Sequence, residues 1–207
     1  MRAKLLLADD HSITLAGMRS VIAREHDLIG EVSDGRTLVT EALRLRPDLI
    51  VLDIGMPLLN GIEAARQIRQ AWPRAKLLFV SMHSNGMYVR EAMSTGACGY
   101  VLKSSAAEEL LPAIRTVLEG QVYMTPALRP NVLGAVPTRR ETTGLTDRQR
   151  EVLQLIAEGH SSKEVAGILG ISIKTANFHR YEVKKKLGVR SIAELAAFAA
   201  RSGLISE

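Results

Sequence analysis

The sequence lacks the features that mark secreted and membrane-spanning proteins. Its single cysteine, Cys98, cannot form an internal disulfide, and we expect it to be a small core residue. No apolar run approaches the roughly 20 residues that cross a bilayer. The first stretch, MRAKLLLADDHS, has two aspartates where a signal peptide would need a cleavage site. We therefore expect a cytoplasmic protein that has no membrane partner.

The chain also lacks a strong charge of one sign, because its net charge is only +5 over 207 residues. The distribution of this charge is more informative than its total. Residues 1–137 hold 15 Lys and Arg against 14 Asp and Glu, whereas residues 138–207 hold 12 against 8. The C-terminal third is therefore the part expected to bind an anion. A content of 46% apolar residues is sufficient for a sizeable core, and the length favours two domains.

Short apolar strands alternate with helical patterns in the first part of the chain, over residues 1–120. The five predicted strands are residues 4–8, 28–32, 48–53, 76–81 and 99–103. Between them, apolar residues recur at helical spacing. This alternation predicts an α/β domain in which helices cover both faces of a five-stranded parallel sheet.

The second part of the chain has a different pattern. Residues 121–144 contain three prolines without sustained periodicity, and we predict a linker there. Residues 145–207 lack strand signals and predict a small all-α domain of four helices. Three of these helices are expected to begin with capping boxes: Thr146 with Gln149, Ser161 with Glu164, and Ser191 with Glu194. Helix ends are predicted at Gly159, Gly170 and Gly188.

Carboxylates follow two of the predicted strands. Asp9 and Asp10 come after the first strand, and Asp53 ends the third. Ligands of open parallel sheets bind beyond the carboxyl ends of the strands, so the three acids would converge if these strands are neighbours. Such a cluster repels itself unless it holds a cation, and oxygen ligands suit Mg²⁺. Taken singly, each aspartate is more often a helix cap or a turn residue.

Two further strands end in groups that complement these acids. Ser81 ends the fourth strand and Lys103 ends the fifth. A hydroxyl, an ammonium and a divalent cation together match the oxygens of a phosphoryl group. We therefore expect Asp53 to be a nucleophile that forms an acyl phosphate, although Ser81 alone is more often a cap and Lys103 alone a solvated strand end.

The motifs LLLADDH (5–11), VLDIGMPLLNG (51–61), VSMH (80–83) and GYVLKS (99–104) together resemble the receiver domain of bacterial two-component response regulators. The resemblance covers residues 2–120 and implies a doubly wound, flavodoxin-like sheet of order 2-1-3-4-5. It also implies that a sensor histidine kinase phosphorylates Asp53.

The same resemblance assigns roles to further residues of the site. It implies that Asp10, Asp53 and the backbone carbonyl of Gly55 bind Mg²⁺, and that Asp9 supports the metal directly or through water. Ser81 and Lys103 would bind the phosphoryl oxygens. Tyr100 matches the switch aromatic, which moves inward when Ser81 is drawn to the phosphate, although a plain strand aromatic remains the alternative.

Residues 161–187 predict two helices joined by a tight turn at Gly170. Winding the second helix at 100° per residue places Ala176, Val183 and Leu187 on one side. The opposite side carries Lys174, Phe178, Tyr181 and Lys185, with Asn177 and Lys184 alongside. A charge run alone is usually a solvated face, but this geometry is the one that presents a helix to the major groove of DNA. Lysines would bind phosphates, Asn177 could read adenine, and apolar side chains could meet thymine methyl groups.

Residues 145–191 resemble the helix-turn-helix effector domain of the NarL/FixJ and LuxR type, and the resemblance extends over roughly residues 142–205. It implies that duplex promoter DNA is a partner. Ala176 stands where the family commonly has valine, and Ser162 stands where asparagine is usual. Neither difference changes the predicted fold. His179 is expected to pack or to contact a phosphate. The expected DNA-binding residues are Lys163, Lys174, Thr175, Asn177, Phe178, His179, Tyr181, Lys184 and Lys185.

The sequence therefore predicts a DNA-binding transcriptional response regulator rather than an enzyme. A homodimer is expected in the phosphorylated or DNA-bound state, with RNA polymerase as a further partner. The last helix, with Leu195 and Phe198, either contributes to the dimer or packs internally. Two alternatives are a phosphoester hydrolase, whose common second aspartate is replaced here by Gly55, and a ligand-sensing transcription factor.

Overall fold

The computed structural model describes residues 2–128, 144–201 and 204–205. The chain divides into a larger N-terminal unit and a smaller C-terminal unit. Most of the predicted linker, residues 129–143, lies outside the described residues, so the predicted domain boundaries stay predictions. Within the described ranges, no helix is both long enough and apolar enough to cross a membrane.

The N-terminal unit is a parallel sheet with helices between its strands. The strands are β1 (Lys4–Ala8), β2 (Asp27–Val32), β3 (Leu49–Leu52), β4 (Leu77–Ser81), β5 (Gly99–Leu102) and β6 (Tyr123–Met124). Their order is β2-β1-β3-β4-β5-β6, and every pair is parallel. The doubly wound architecture and the order 2-1-3-4-5 are therefore confirmed.

Five helices connect these strands: α1 (Ser12–Ile22), α2 (Gly35–Leu45), α3 (Gly61–Ala71), α4 (Gly86–Ser94) and α5 (Ala106–Leu118). All four residues of β3 are buried, which explains why its sequence LIVL is apolar throughout instead of alternating. Cys98 packs against the main core as expected, but it is only half-buried.

The prediction of five strands was wrong by one, because β6 lies in the segment that we predicted to be linker. Tyr123 pairs with Gly99 and Met124 pairs with Tyr100. Side chains hold the segment in place, since the Tyr123 hydroxyl and Thr125 Oγ1 donate to the Glu109 carboxylate at 2.9 and 2.7 Å. A two-residue strand that depends on such tertiary contacts is too short to leave a periodic pattern in the sequence.

The described part of the C-terminal unit contains four helices: α6 (Asp147–Ala157), α7 (Ser162–Leu169), α8 (Ile173–Leu187) and α9 (Ile192–Arg201). They enclose a core formed by Val152, Leu153, Leu155, Val165, Ala166, Ala176, Val183, Leu195 and Ala199. Burial of Leu195 and Ala199 shows that α9 packs internally along this face. The predicted four-helix domain is confirmed.

The ends of these helices follow the predicted signals. Full capping boxes are present at Thr146 and at Ser161. At the third predicted box, Ser191 accepts from the Glu194 N–H, while the Glu194 carboxylate accepts from the Arg190 N–H, one residue earlier than expected. The positive φ angles that favour glycine occur at Gly159, Gly170 and Gly188.

Replacement of Ser161 tests the contribution of capping to the C-terminal unit. Ser161→Ala removes the side-chain acceptor for the Glu164 N–H, so we expect the free energy of unfolding to fall by about 1 kcal/mol. Urea denaturation followed by circular dichroism measures this change. Ser161→Asp keeps an acceptor and should retain the stability of the parent. A Ser161→Ala variant as stable as the parent would show that the cap does not stabilise this helix.

Candidate functional site

The three predicted acids lie together at the carboxyl edge of the sheet. The Asp53 N–H donates to the Ala8 carbonyl at 2.9 Å and thereby extends the pairing of β3 with β1. Asp9 and Asp53 are buried, whereas Asp10 is exposed. Each of the residues Asp9, Asp10, His11 and Asp53 offers a ligand atom, and these atoms all lie within 4.8 Å of one another. The three carboxylates therefore lie close together, as expected.

Lys103 supplies the positive charge of this cluster. Its ammonium lies 2.7 Å from Asp53 Oδ2 and 2.7 Å from Asp9 Oδ2, and its side chain is largely buried. Burial alone would lower the pKa of Lys103. The charges and hydrogen bonds of Asp53 and Asp9 outweigh burial, so this pKa lies above its ordinary value. The ammonium therefore stays charged at neutral pH and can bind an anion.

The donor set fits a hard divalent cation. Carboxylate oxygens predominate in the cluster, and the exposed position of Asp10 leaves one side open to water, which Mg²⁺ retains when it binds protein. Gly55 lies in the buried turn that follows Asp53, and the role of its carbonyl stays a prediction.

His11 is the member of the cluster that our sequence analysis missed. Its Nδ1 lies 2.7 Å from Asp10 Oδ1, and its backbone N–H donates to Asp9 Oδ1 at 2.8 Å. Its position directly after the two aspartates was the available signal. The backbone contact orients the Asp9 carboxylate at the point where α1 begins.

Ser81 and Tyr100 lie on neighbouring strands and are joined through the backbone of His83. The His83 N–H donates to Ser81 Oγ at 3.3 Å, and the Tyr100 hydroxyl donates to the His83 carbonyl at 2.7 Å. The His83 ring stacks on Tyr88 of α4, with ring centroids 4.6 Å apart. A continuous set of contacts therefore leads from the end of β4 to α4 and β5.

Tyr100 is fully buried in this arrangement. Burial raises the pKa of its hydroxyl far above the ordinary value. The hydroxyl therefore remains a hydrogen-bond donor at any physiological pH. Tyr100 therefore lies in the interior, and its role as a switch aromatic stays a prediction.

Gly61 allows α3 to approach Asp53 closely. A Cβ atom at this position would lie 1.9 Å from the Asp53 carbonyl oxygen and 3.1 Å from Ile54 Cα. The preceding residue, Asn60, caps α3 by accepting from the Glu63 N–H at 3.0 Å. Because Gly61 has no side chain, the start of α3 can pack directly against the Asp53 backbone. We infer that this contact helps to position the Asp53 carboxylate.

The second predicted site lies on α8 and has the expected orientation. Ala176 and Val183 are buried in the C-terminal core. The opposite side is solvent-exposed at Lys174, Asn177, Phe178, Tyr181 and Lys185. Lys163 is exposed on α7, and Thr175 and His179 are half-buried on α8. The predicted surface of cations, an amide and aromatic rings is therefore present.

The lysines at the end of α8 differ in their contacts. Lys184 Nζ donates to the Arg190 carbonyl at 2.9 Å, and Lys186 Nζ donates to the Gly144 carbonyl and to Gln149 Oε1. For Lys174 and Lys185, no ion pair or hydrogen bond of the side chain occurs within residues 144–201. Lys174 and Lys185 are therefore more available to an external anion than Lys184.

Comparison with known proteins identifies one domain family in each of the two units. Residues 5–115 match the family described as response regulator receiver domain, and residues 143–199 match the bacterial regulatory proteins of the luxR family. The chain belongs to the LuxR-type response regulators. It combines a receiver with a LuxR-type DNA-binding domain and is a DNA-binding transcriptional response regulator.

Known proteins match the chain over nearly its whole length. The chain is 33% identical over 208 residues to the transcriptional regulatory protein MctR of Rhizobium johnstonii, covering 100% of this chain and 97% of that protein. It is 30% identical to the oxygen regulatory protein NreC of Staphylococcus aureus, covering 98% and 99% of the two chains. The RcsB response regulator of Salmonella typhimurium superposes with a TM-score of 0.61 at 25% identity, covering 97% of this chain and 98% of RcsB.

Two glycine replacements test whether Gly61 positions Asp53. Gly61→Ala forces a Cβ against the Asp53 carbonyl, so we expect the free energy of unfolding to fall by about 2 kcal/mol. Gly17→Ala is the matched control, because a Cβ there meets nothing within 4 Å and alanine stabilises a helix interior by up to about 1 kcal/mol. Chemical denaturation measures both. A Gly61→Ala variant as stable as the parent would contradict this role.

Proposed function

We propose that a sensor histidine kinase phosphorylates Asp53 and that this modification controls how the C-terminal domain binds promoter DNA. The observation that carries the proposal is the Lys103 ammonium, which lies 2.7 Å from Asp53 Oδ2 at the buried end of β3. A nucleophilic carboxylate beside a fixed cation is the arrangement that phosphoryl transfer requires, because catalysis depends mainly on positioning and charge.

In the proposed reaction, an Asp53 carboxylate oxygen attacks the phosphorus of a phosphohistidine. A P–O bond forms, the P–N bond breaks, and its electron pair goes to the imidazole nitrogen of the donor. Lys103 neutralises charge on the transferred group, and the Ser81 hydroxyl donates to one of its oxygens. Mg²⁺, held by Asp9, Asp10, Asp53 and the Gly55 carbonyl, would supply further positive charge.

The bound phosphoryl group then alters the contacts of Ser81 and Lys103. It adds up to about two negative charges, which compete with the Asp9 and Asp53 carboxylates for the Lys103 ammonium. Ser81 also accepts from the His83 N–H, and His83 accepts from Tyr100, so a shift at Ser81 reaches the surface formed by α4 and β5. Tyr100 is the proposed switch residue because it lies at the end of these contacts.

The C-terminal domain is proposed to bind the major groove through α8. Lys163, Lys174 and Lys185 contact phosphates, and Asn177 reads an adenine edge. Thr175, His179 and Lys184 support the contacts with the DNA backbone. Two copies of the chain would place their α8 helices in half-sites one helical turn apart, so we propose a homodimer on DNA. RNA polymerase is a further proposed partner, and the proposed location is the cytoplasm.

Phosphorylation in vitro tests the role of Asp53. After incubation with acetyl phosphate and Mg²⁺, intact-mass spectrometry should detect a gain of one phosphoryl group in the parent and in the control Asp147→Asn. Asp53→Asn should gain none, because it lacks the nucleophilic carboxylate. An equal gain in Asp53→Asn would refute the assignment, and steady release of phosphate at enzyme-like rates would instead indicate a hydrolase.

Two neighbouring lysines test the DNA-binding surface. Lys185→Ala should weaken binding to all sequences and should lower the slope of log affinity against log salt by about 1, since one phosphate contact is lost. Lys184→Ala is the matched control and should have a smaller effect, because its ammonium already donates to the Arg190 carbonyl. Fluorescence anisotropy over a salt series measures both slopes. A larger effect at Lys184 than at Lys185 would contradict the proposed orientation of α8.

A further inference from the structure

Four exposed residues of α8 form a single row, which we call the Lys-Phe-Tyr-Lys row: Lys174, Phe178, Tyr181 and Lys185. Their spacing of four, three and four residues places them along one face of the helix. One lysine therefore lies at each end of the row, with the two aromatic residues between them. This order suggests a ligand that has negative charge on both sides and an apolar group between them.

The aromatic rings of the row are unusually exposed. Phe178 is 58% exposed and Tyr181 is 62% exposed. Eight large hydrophobic residues are strongly exposed in the described part of the chain, and three of them lie on α8, where Ile173 at 49% adjoins the row. Apolar surface concentrated in this way marks a binding site, since folding alone would bury it.

We propose that Phe178 and Tyr181 recognise thymine C5-methyl groups, while Lys174 and Lys185 bind phosphates on the two sides of the major groove. The inference rests on the proposed DNA-binding function of α8 and adds the chemical class of the base that it reads. Thymine carries the one apolar group that base pairs present in the major groove. A phenylalanine side chain cannot form hydrogen bonds with a base edge, so an apolar contact is what it can contribute.

The dimensions of the row fit the major groove. Lys174 and Lys185 are eleven residues apart and thus about 16 Å apart along the helix, while the groove is about 12 Å wide. Both ammonium groups can therefore reach the phosphates that border the groove. Glu182, the one acidic residue of α8, is half-buried and lies beside the row rather than on it. The row itself thus carries no negative charge that would repel DNA.

Asn177 lies beside Phe178 and strengthens the preference for A·T pairs. An exposed asparagine amide can form two hydrogen bonds with adenine, and the partner of adenine presents the thymine methyl group. The amide and the aromatic rings would thus read complementary features of A·T pairs. We therefore expect half-sites that contain A·T pairs at the positions facing residues 177–181.

Substitution of thymine by deoxyuridine tests this inference. Sites bound by the full-length chain are first selected from random DNA, and each thymine of the enriched site is then replaced in turn by deoxyuridine, which lacks only the methyl group. At one or more positions, we expect the affinity of the parent to fall about fourfold. This is the change in affinity that corresponds to the burial of one methyl-sized group. The same replacement should have no effect on Phe178→Ala or on Tyr181→Ala at the position that each residue reads.

Ile192→Ala, which removes an exposed apolar side chain outside α8, serves as the control and should keep the full dependence on the methyl group. Thermal unfolding verifies that the alanine variants are folded, as expected for exposed side chains. The inference is overturned if no thymine replacement weakens binding by the parent, or if both aromatic variants keep the parent's dependence. In either case the rings serve another contact, such as one with protein. If no DNA is enriched at all, with or without acetyl phosphate, the proposed function itself fails.

Discussion

The ion pairs of Lys103 with Asp53 and Asp9 are the interaction on which the N-terminal domain depends. Two carboxylates buried at adjacent strand ends repel each other and lose hydration, which is costly without a counter-charge. One ammonium at 2.7 Å from both acids compensates for much of that cost. Under the proposed function, the same balance would make the site responsive, because a new anionic group on Asp53 would redistribute the contacts of Lys103.

In the proposed mechanism, the elements around this site would convert a local change of charge into a change of shape. Gly61 keeps the Asp53 backbone tightly packed, so the carboxylate has little freedom to absorb a new group. Ser81, His83 and Tyr100 are joined by hydrogen bonds, and His83 stacks on Tyr88 of α4. Under the proposed function, rigid support on one side and connected contacts on the other would direct movement toward α4 and β5. Packed interiors favour such discrete shifts over gradual deformation.

Periodicity and strand-end residues predicted the main architecture and the composition of both sites. The continuous apolar run of β3 and the capping boxes at Thr146 and Ser161 are local signals, so one sequence was sufficient to find them. Features that depend on tertiary contacts were missed. Strand β6 requires Glu109, and the lower availability of Lys184 depends on the Arg190 carbonyl. No periodic pattern encodes the close approach of Gly61 to Asp53 either.

The central claim is that phosphorylation of Asp53 governs the use of the aromatic and basic surface of α8. The most direct test measures the affinity of the full-length chain for its selected DNA before and after treatment with acetyl phosphate and Mg²⁺. The account predicts that treatment changes the affinity of the parent severalfold and leaves that of Asp53→Asn unchanged. An identical affinity before and after phosphorylation of the parent, or the same change in both proteins, would contradict it.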